Sequence, residues 1–411
     1  MLKLLAWYFT LAMIAGGIVR FFPIFPPYRP LWLLQLLTSE LGILFSLILA
    51  WILIAYRRSR RLGIAAGMAL MITALPMFEM MAQERNWIWD LAYSLRKQQN
   101  PDASIPNPYA ESSEDALFQF SEFFKLSPKM KPKSEFIATR DQAVLPILIY
   151  QPEISTLIKT PARPWIMSIH GGGWDSGEPD QLDGNYAALV EAGYTVISPA
   201  YRLAPGYRWP RQGEDVQDAY LWVVKNADRL GLDADRFWVM GRSAGGQLAL
   251  KFAYGKSRSK GLRGVISLYA PSDIDFGYRW SFEHDILNSR QLLQSYTGAT
   301  PDVNPKVYRD ASPLNDVTKD SPPTLILTGL ADPLVWFRHA ERLRDALRSE
   351  GVGTILLELP WATHGFDFFP NSPSGQITKN AILRFLKATD LKATDLKTPD
   401  FKSDQQAKPP R

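Results

Sequence analysis

The sequence predicts an α/β protein with a mostly parallel central sheet, preceded by an N-terminal helical transmembrane region. Three observations point there. Three apolar stretches crowd the first 81 residues. From about residue 135, short apolar runs alternate with segments of helical period, the pattern of strands joined by crossover helices. Glycine-bearing turns then follow directly on several of those runs, at the carboxyl ends of strands where parallel sheets bind ligands.

The first apolar stretch, 4–19, lies between Lys3 and Arg20. The second, 31–56, is interrupted only by Gln35, Thr38-Ser39-Glu40 and Ser46, and the third, 62–78, ends at Glu79. A bilayer core of about 30 Å needs roughly 20 helical residues, with about 17 as the lower limit. The second stretch clears that length, and the other two stand near the limit. Residues 1–82 therefore read as a transmembrane region of two to three helices. A signal peptide would account for the first stretch alone, but Phe21-Phe22-Pro23 follows it where a small-residue cleavage site would be needed.

Arg57, Arg58, Arg60 and Arg61 lie between the second and third stretches. The positive-inside rule keeps that loop, and Lys3, in the cytoplasm. Three spans then make a multi-pass membrane protein whose part after Phe78 is extracytoplasmic, whereas two spans leave it inside. Glu40, at mid-depth in the second stretch, must pack on a neighbouring helix or sit nearer an interface.

Residues 83–134 read as a connector. Trp87 and Trp89 suit the headgroup level, and Pro101, Pro106, Pro108, Pro128 and Pro132 break any long helix. At the other end, the unit Lys-Ala-Thr-Asp-Leu occurs twice from Lys387, and 389–411 is expected to be a disordered tail. The balance of 46 basic against 41 acidic residues leaves a net charge of +5. No stripe of Lys and Arg interleaved with aromatics accompanies it, so nucleic acid is not an expected partner. The chain has no cysteine, which excludes disulfides and thiolate chemistry.

Within 135–388, strands are expected at 144–150, 165–169, 194–198, 237–240, 265–269, 324–328 and 354–359. Helical periods fall at 184–192, 214–230, 247–253, 338–349 and 376–387. An insert at 275–313 is expected to form a cap or pocket wall. In it Phe276, Tyr278, Trp280 and Phe282 alternate, to line an acyl or alcohol pocket or to pack the cap on the core.

Gly241-Arg242-Ser243-Ala244-Gly245-Gly246 follows the run 237–240 and opens a helical segment. A G-x-S-x-G sequence between strand and helix places the serine on a sharp turn with its hydroxyl exposed. His170-Gly171-Gly172-Gly173-Trp174 follows the run ending at Ile169. Its glycines permit backbone N–H groups to face a developing oxyanion. Gly171, Gly172 and Ala244, just after the serine, are the candidate donors. A serine nucleophile needs a base, and the chain has four histidines. His170 belongs to the glycine motif, His284 to the insert and His339 to a helix. His364 follows the last strand and completes the chain order Ser, acid, His, with Asp332 as the acid after the preceding strand. The candidate catalytic residues are thus Ser243, Asp332 and His364.

These residues, with Tyr201-Arg202-Leu203-Ala204-Pro205, Trp209-Pro210, Glu214-Asp215-Val216, Ala331-Asp332-Pro333 and His364-Gly365-Phe366, carry a resemblance. Residues 135–388 resemble the α/β-hydrolase superfamily, in particular its carboxylesterase branch with hormone-sensitive-lipase-like enzymes. The resemblance implies an α/β-hydrolase fold and hydrolysis of a carboxylic ester through an acyl-enzyme, with no metal or cofactor. It also implies a small-molecule or lipid ester as substrate, and a supporting role for Asp215 beneath the site. Two features depart from it. Arg242 stands where the hormone-sensitive-lipase-like group usually has Asp, and most soluble esterases of the branch lack a membrane region. The layout is similar to that of the isoprenylcysteine methylesterases. The same residues would also serve an acyltransferase, and a non-catalytic module binding lipid or protein is the alternative of another class.

Overall fold

A computed structural model describes residues 1–19, 29–99, 116–152, 161–255 and 261–390, the side chains of 84–99 excepted. The expected placement of Trp87 and Trp89, the breaks at Pro101, Pro106 and Pro108 and the tail from 391 lie outside the described residues.

Four helices come first: α1 (Leu2–Val19), α2 (Arg29–Glu40), α3 (Gly42–Ala55) and α4 (Arg60–Gln99). Ala6, Met13, Leu49, Ile52, Leu62, Ala66 and Ala69 form their common core. Small residues let the backbones approach: a Cβ on Gly17 of α1 would fall 1.8 Å from Ile72 Cγ2 of α4. Two helices, Leu2–Val19 and Arg60–Gln83, are long and apolar enough to cross a membrane. The stretch 31–56 is not one straight helix. It breaks at Leu41, and α2 and α3 are inclined by 85°. The cause is the polar group Thr38-Ser39-Glu40, which is buried against protein rather than carried along a lipid-facing axis. The third stretch also differs from expectation. Helix α4 runs through Pro76 and past the apolar run to Gln99, because the chain offers no further breaker before Pro101.

After α5 (Phe120–Phe123), the chain forms β1 (Lys133–Ala138), β2 (Val144–Tyr150), β3 (Arg163–Ile169), α6 (Tyr186–Glu191), β4 (Thr195–Pro199), α7 (Arg211–Lys225), α8 (Ala227–Leu230), β5 (Leu232–Arg242) and α9 (Ala244–Tyr254). There follow β6 (Leu262–Leu268), α10 (Ile274–Trp280), α11 (Ser289–Thr297), α12 (Pro305–Ala311), β7 (Thr324–Gly329), α13 (Arg338–Ser349), β8 (Thr354–Leu359) and α14 (Pro373–Asp390). The eight strands form one sheet in the order β1-β2-β4-β3-β5-β6-β7-β8. The pairs β1–β2 and β2–β4 are antiparallel, and β4, β3 and β5 to β8 run parallel. This is the mostly parallel sheet that the run–helix alternation predicts. Strand β1 was not expected. It is a mostly exposed edge strand in which only Ile137 is buried, so it lacks the continuous apolar run that marks a central parallel strand.

Helices cover both faces. On one, Trp165 stacks on Phe237 with ring centroids 4.6 Å apart, next to Tyr220 of α7 and Phe252 of α9. On the other, Trp238, Trp361, Phe366 and Phe385 pack with Tyr186 of α6, and Met80 of α4 joins them.

The register positions the site. In the centre of the sheet Ile169 of β3 pairs with Gly241 of β5, so the segments 170–173 and 242–246 leave the sheet side by side. Towards the far edge Gly329 pairs with Leu359, so the loops after β7 and β8 also emerge together.

Candidate active site

The turn after β5 is the sharpest in the site. Ser243 has φ 52° and ψ −123°, a left-handed conformation that is rare for a residue with a side chain. It is held there because Ser243 N–H donates to Leu268 O of β6 at 2.9 Å and α9 begins at the next residue. Closeness on the other side requires Gly245: a Cβ there would lie 2.2 Å from His170 O.

The hydroxyl of Ser243 meets His364 Nε2 at 2.9 Å, and His364 Nδ1 meets Asp332 Oδ2 at 2.7 Å. The second oxygen, Asp332 Oδ1, accepts from the N–H groups of Leu334 at 2.8 Å and Val335 at 2.9 Å. Asp332 and His364 are buried. The carboxylate is thus solvated by backbone on one side and turned to the imidazole on the other, which fixes the ring so that Nε2 faces the serine. The structure brings these three residues together.

Among the expected amide donors, Ala244 lines the cavity beside Ser243. Gly171 lies behind Ser243, where a Cβ would be 3.5 Å from Ser243 Cβ and 3.1 Å from Arg242 O. Gly172 has φ 111°, and its carbonyl accepts from Asp175 N, Ser176 N and Ser176 Oγ, so that oxygen is engaged within the turn. Gly173, which sequence reading left out, also lines the cavity. His170 orders the loop: its Nδ1 donates to Gly171 O at 2.8 Å, and its ring stacks on Tyr201 at 4.2 Å. Burial pushes its pKa down to about 4, so it is neutral at pH 7. Asp215 is buried and accepts four hydrogen bonds from Arg202, one from its backbone N–H and three from its guanidinium.

Arg242, the departure from the resembling group, has its counter-charge in a residue that sequence reading missed. Its Nε donates to Asp367 Oδ2 at 2.6 Å, and Tyr269 Oη donates to Asp367 Oδ1 at 2.6 Å. All three are buried, and the Tyr269 ring meets the His364 ring edge-on at 4.7 Å. The pair ties the residue before the nucleophile to the loop of the histidine. The available signal was Arg242 itself, a cation on a turn packed under the sheet edge, which demands a buried partner.

The three residues open on a cavity of about 320 Å³, within the usual range of roughly 300–1,000 Å³ for small-molecule sites. Its walls come from the insert and from the segment after Asp332. Of the four alternating aromatics, Trp280 and Phe282 line it. Phe276 stacks on Trp336 at 5.8 Å, and Tyr278 packs against Tyr308. The alternation thus divides between cavity wall and packing. Among the described residues no cluster of His, Asp and Glu is arranged to hold a metal ion.

Known proteins share the fold and part of the sequence. The BD-FAE family matches residues 149–347. The chain is 32% identical over 248 residues to esterase LipC of Mycobacterium tuberculosis, covering 55% of this chain and 59% of LipC. It is 30% identical over 282 residues to an ethyl acetate hydrolase of Pseudomonas putida, covering 63% of this chain and 84% of that protein. Among solved structures, the hyperthermophilic esterase of the archaeon Pyrobaculum calidifontis superposes with a TM-score of 0.55 at 22% identity, over 76% of this chain and 96% of that one. A bacterial heroin esterase superposes with a TM-score of 0.56 at 23% identity, over 73% and 96%. At such identities the two structures speak for the fold.

The buried pair yields a stability prediction. Asp367→Ala leaves the Arg242 guanidinium buried without its counter-charge and should cost about 3–5 kcal/mol, read by urea denaturation. The double replacement Arg242→Met with Asp367→Leu should recover most of that loss. If Asp367→Ala unfolds at the wild-type urea concentration, the pair does not hold the two loops.

Proposed function

The chain belongs to the carboxylesterase branch of the α/β-hydrolase superfamily, and from that premise we propose that it is a membrane-anchored serine esterase acting through an acyl-enzyme on Ser243. The observation that carries the reading is the unbroken relay from Asp332 through His364 to Ser243, at 2.7 and 2.9 Å, on the wall of a mainly apolar cavity.

In this mechanism Ser243 Oγ forms a bond to the ester carbonyl carbon while its proton passes to His364 Nε2. Asp332 accepts from Nδ1–H of the imidazolium. The carbonyl oxygen becomes an oxyanion facing the amide of Ala244 and those of the glycine loop after β3, of which Gly173 lines the cavity, each such donor being worth about 3 kcal/mol of transition-state stabilisation. The tetrahedral intermediate then breaks its bond to the alkoxy oxygen, which leaves as alcohol with the proton from His364. Water, deprotonated by the same imidazole, attacks the acyl carbon, and the acid departs as Ser243 regains its proton.

The substrate is an ester with an apolar acyl or alcohol part, a small molecule or a lipid. The cavity supports the apolar preference, and the exposed Trp280 and Phe282 offer a rim over which a longer chain would run. A fluorophosphonate probe should label the wild type and not Ser243→Ala, whose kcat should fall by about 10⁶. On p-nitrophenyl esters of graded length, a maximum at medium chains is expected, and activity on acetate alone would sink the lipid arm of this reading. Folded wild type that neither labels nor turns over any ester would end the proposal.

The anchor is read as three spans, with the α/β part extracytoplasmic. Leu11, Ile18, Leu47, Trp51, Ile64 and Met71 are exposed on the helical region, an apolar surface too large to face water. Helix α3 has 14 residues and rises about 21 Å, a short span that a locally thinned bilayer accommodates. In this arrangement α1 and α4 run side by side from one end, which carries Lys3 and Arg57 to Arg61, and the positive-inside rule puts that end in the cytoplasm. Because the chain has no cysteine, single introduced thiols report topology directly. A membrane-impermeant maleimide should label Val303→Cys, at a side chain 77% exposed, in intact cells, and Arg58→Cys only after permeabilisation. The opposite pattern would place the α/β part in the cytoplasm.

A further inference from the structure

Helix α2 does not behave as half of a membrane span. Gln35, Thr38, Ser39 and Glu40 are all buried on it, and two of them reach the α/β part of the chain. Gln35 Nε2 donates to Ala331 O at 3.1 Å. Glu40 Oε2 accepts from Ser372 Oγ at 2.6 Å and from Ser374 N–H at 3.2 Å, and Glu40 Oε1 accepts from Ser374 Oγ at 2.7 Å. Helix α1 backs α2 closely, since a Cβ on Gly16 would fall 2.8 Å from both Leu34 and Thr38.

The places that receive these contacts are the two loops beside the relay. Ala331 directly precedes Asp332, and its N–H donates to Ala362 O at 3.1 Å, two residues before His364. Ser374 Oγ, which donates to Glu40, accepts from Nε1 of the buried Trp361 at 2.9 Å, three residues before His364. One helix therefore grips the acid's loop through Gln35 and the histidine's loop through Glu40, by way of Ser374 and Trp361.

We propose that α2 is a positioning element of the active site, and that Gln35 and Glu40 hold the loops of Asp332 and His364 at the separation the relay requires. The inference rests on the reading of those two residues as acid and base. Neither side chain touches the reacting atoms. A relay distance set by two loops is sensitive to small displacement, and a misplacement of about 1 Å can cost about 100-fold in rate. Turnover would then depend on a contact made by the helical region that precedes the α/β part.

The test uses the full chain in detergent micelles with p-nitrophenyl butyrate, and counts active sites by fluorophosphonate labelling so that only folded enzyme enters kcat. Gln35→Leu and Glu40→Ala should each lower kcat by about 10-fold or more with KM within about twofold. The acidic limb of the kcat/KM profile should move with them, because the imidazole's contact with Asp332 is altered. Glu40→Gln keeps an oxygen that accepts from Ser374, and should restore at least about half of the wild-type rate. Should Glu40→Ala fail to fold, Gln35→Leu decides, since it removes one neutral hydrogen bond. Wild-type kcat per labelled site in Gln35→Leu and in any folded Glu40→Ala, whatever happens to the melting temperature, would overturn the proposal. A wild type that neither labels nor hydrolyses the ester overturns the parent reading as well, which separates the two failures.

Discussion

The left-handed backbone at Ser243 is the constraint from which the rest of the site follows. A residue with a side chain keeps φ near 52° only where its surroundings over-determine it. Three contacts do so here. Strand β6 accepts the Ser243 N–H, the loop after β3 presses its His170 carbonyl on Gly245, and Gly171 stands against the Arg242 carbonyl. Strands β3, β5 and β6 must therefore be neighbours, parallel and in fixed register, and α9 must start without a linker. The crossover helices and the two-sided core satisfy those demands.

Charge is distributed with equal economy around the site. Two carboxylates stand on the loops after β7 and β8, and their surroundings give them different work. Asp332 is solvated by two backbone N–H groups and faces an imidazole. Asp367 faces a guanidinium and a tyrosine hydroxyl. Removing either partner would leave the other charge buried and uncompensated, and the Arg242–Asp367 pair also has a geometric role. It joins the nucleophile's turn to the histidine's loop across the gap between β5 and β8.

Strands β2 to β8 were legible in the sequence because each carries an apolar run, and the motif positions were legible because they sit directly after those runs. What lay beyond reach depends on contacts distant in the chain. Strand β1 is an exposed edge with no apolar run. Asp367 acquires meaning only once Arg242 is known to be buried, and a glycine row does not say which of Gly171, Gly172 and Gly173 faces the cavity. The insert's aromatics divide between wall and packing according to the turn of α10, which alternation in sequence does not encode. The extent of α4 escaped for a simpler reason: hydropathy ended at Phe78, whereas the helix continues to Gln99.

The bend at Leu41 shows how hydropathy alone misreads an apolar run that carries buried polar groups. A run of 26 positions with a few polar residues scores as one span, because the average does not record where the polar groups point. In lipid, Gln35 and Glu40 would each need a partner at several kcal/mol of cost. Against the α/β part they find serine hydroxyls and a backbone carbonyl, and the helix turns by 85° to reach them. The polar positions that weaken the case for a straight span are the ones that attach the N-terminal helices to the loops beside Asp332 and His364. The N-terminal helices and the loops of Asp332 and His364 therefore share one packing unit, joined at Ala331 and Ser374.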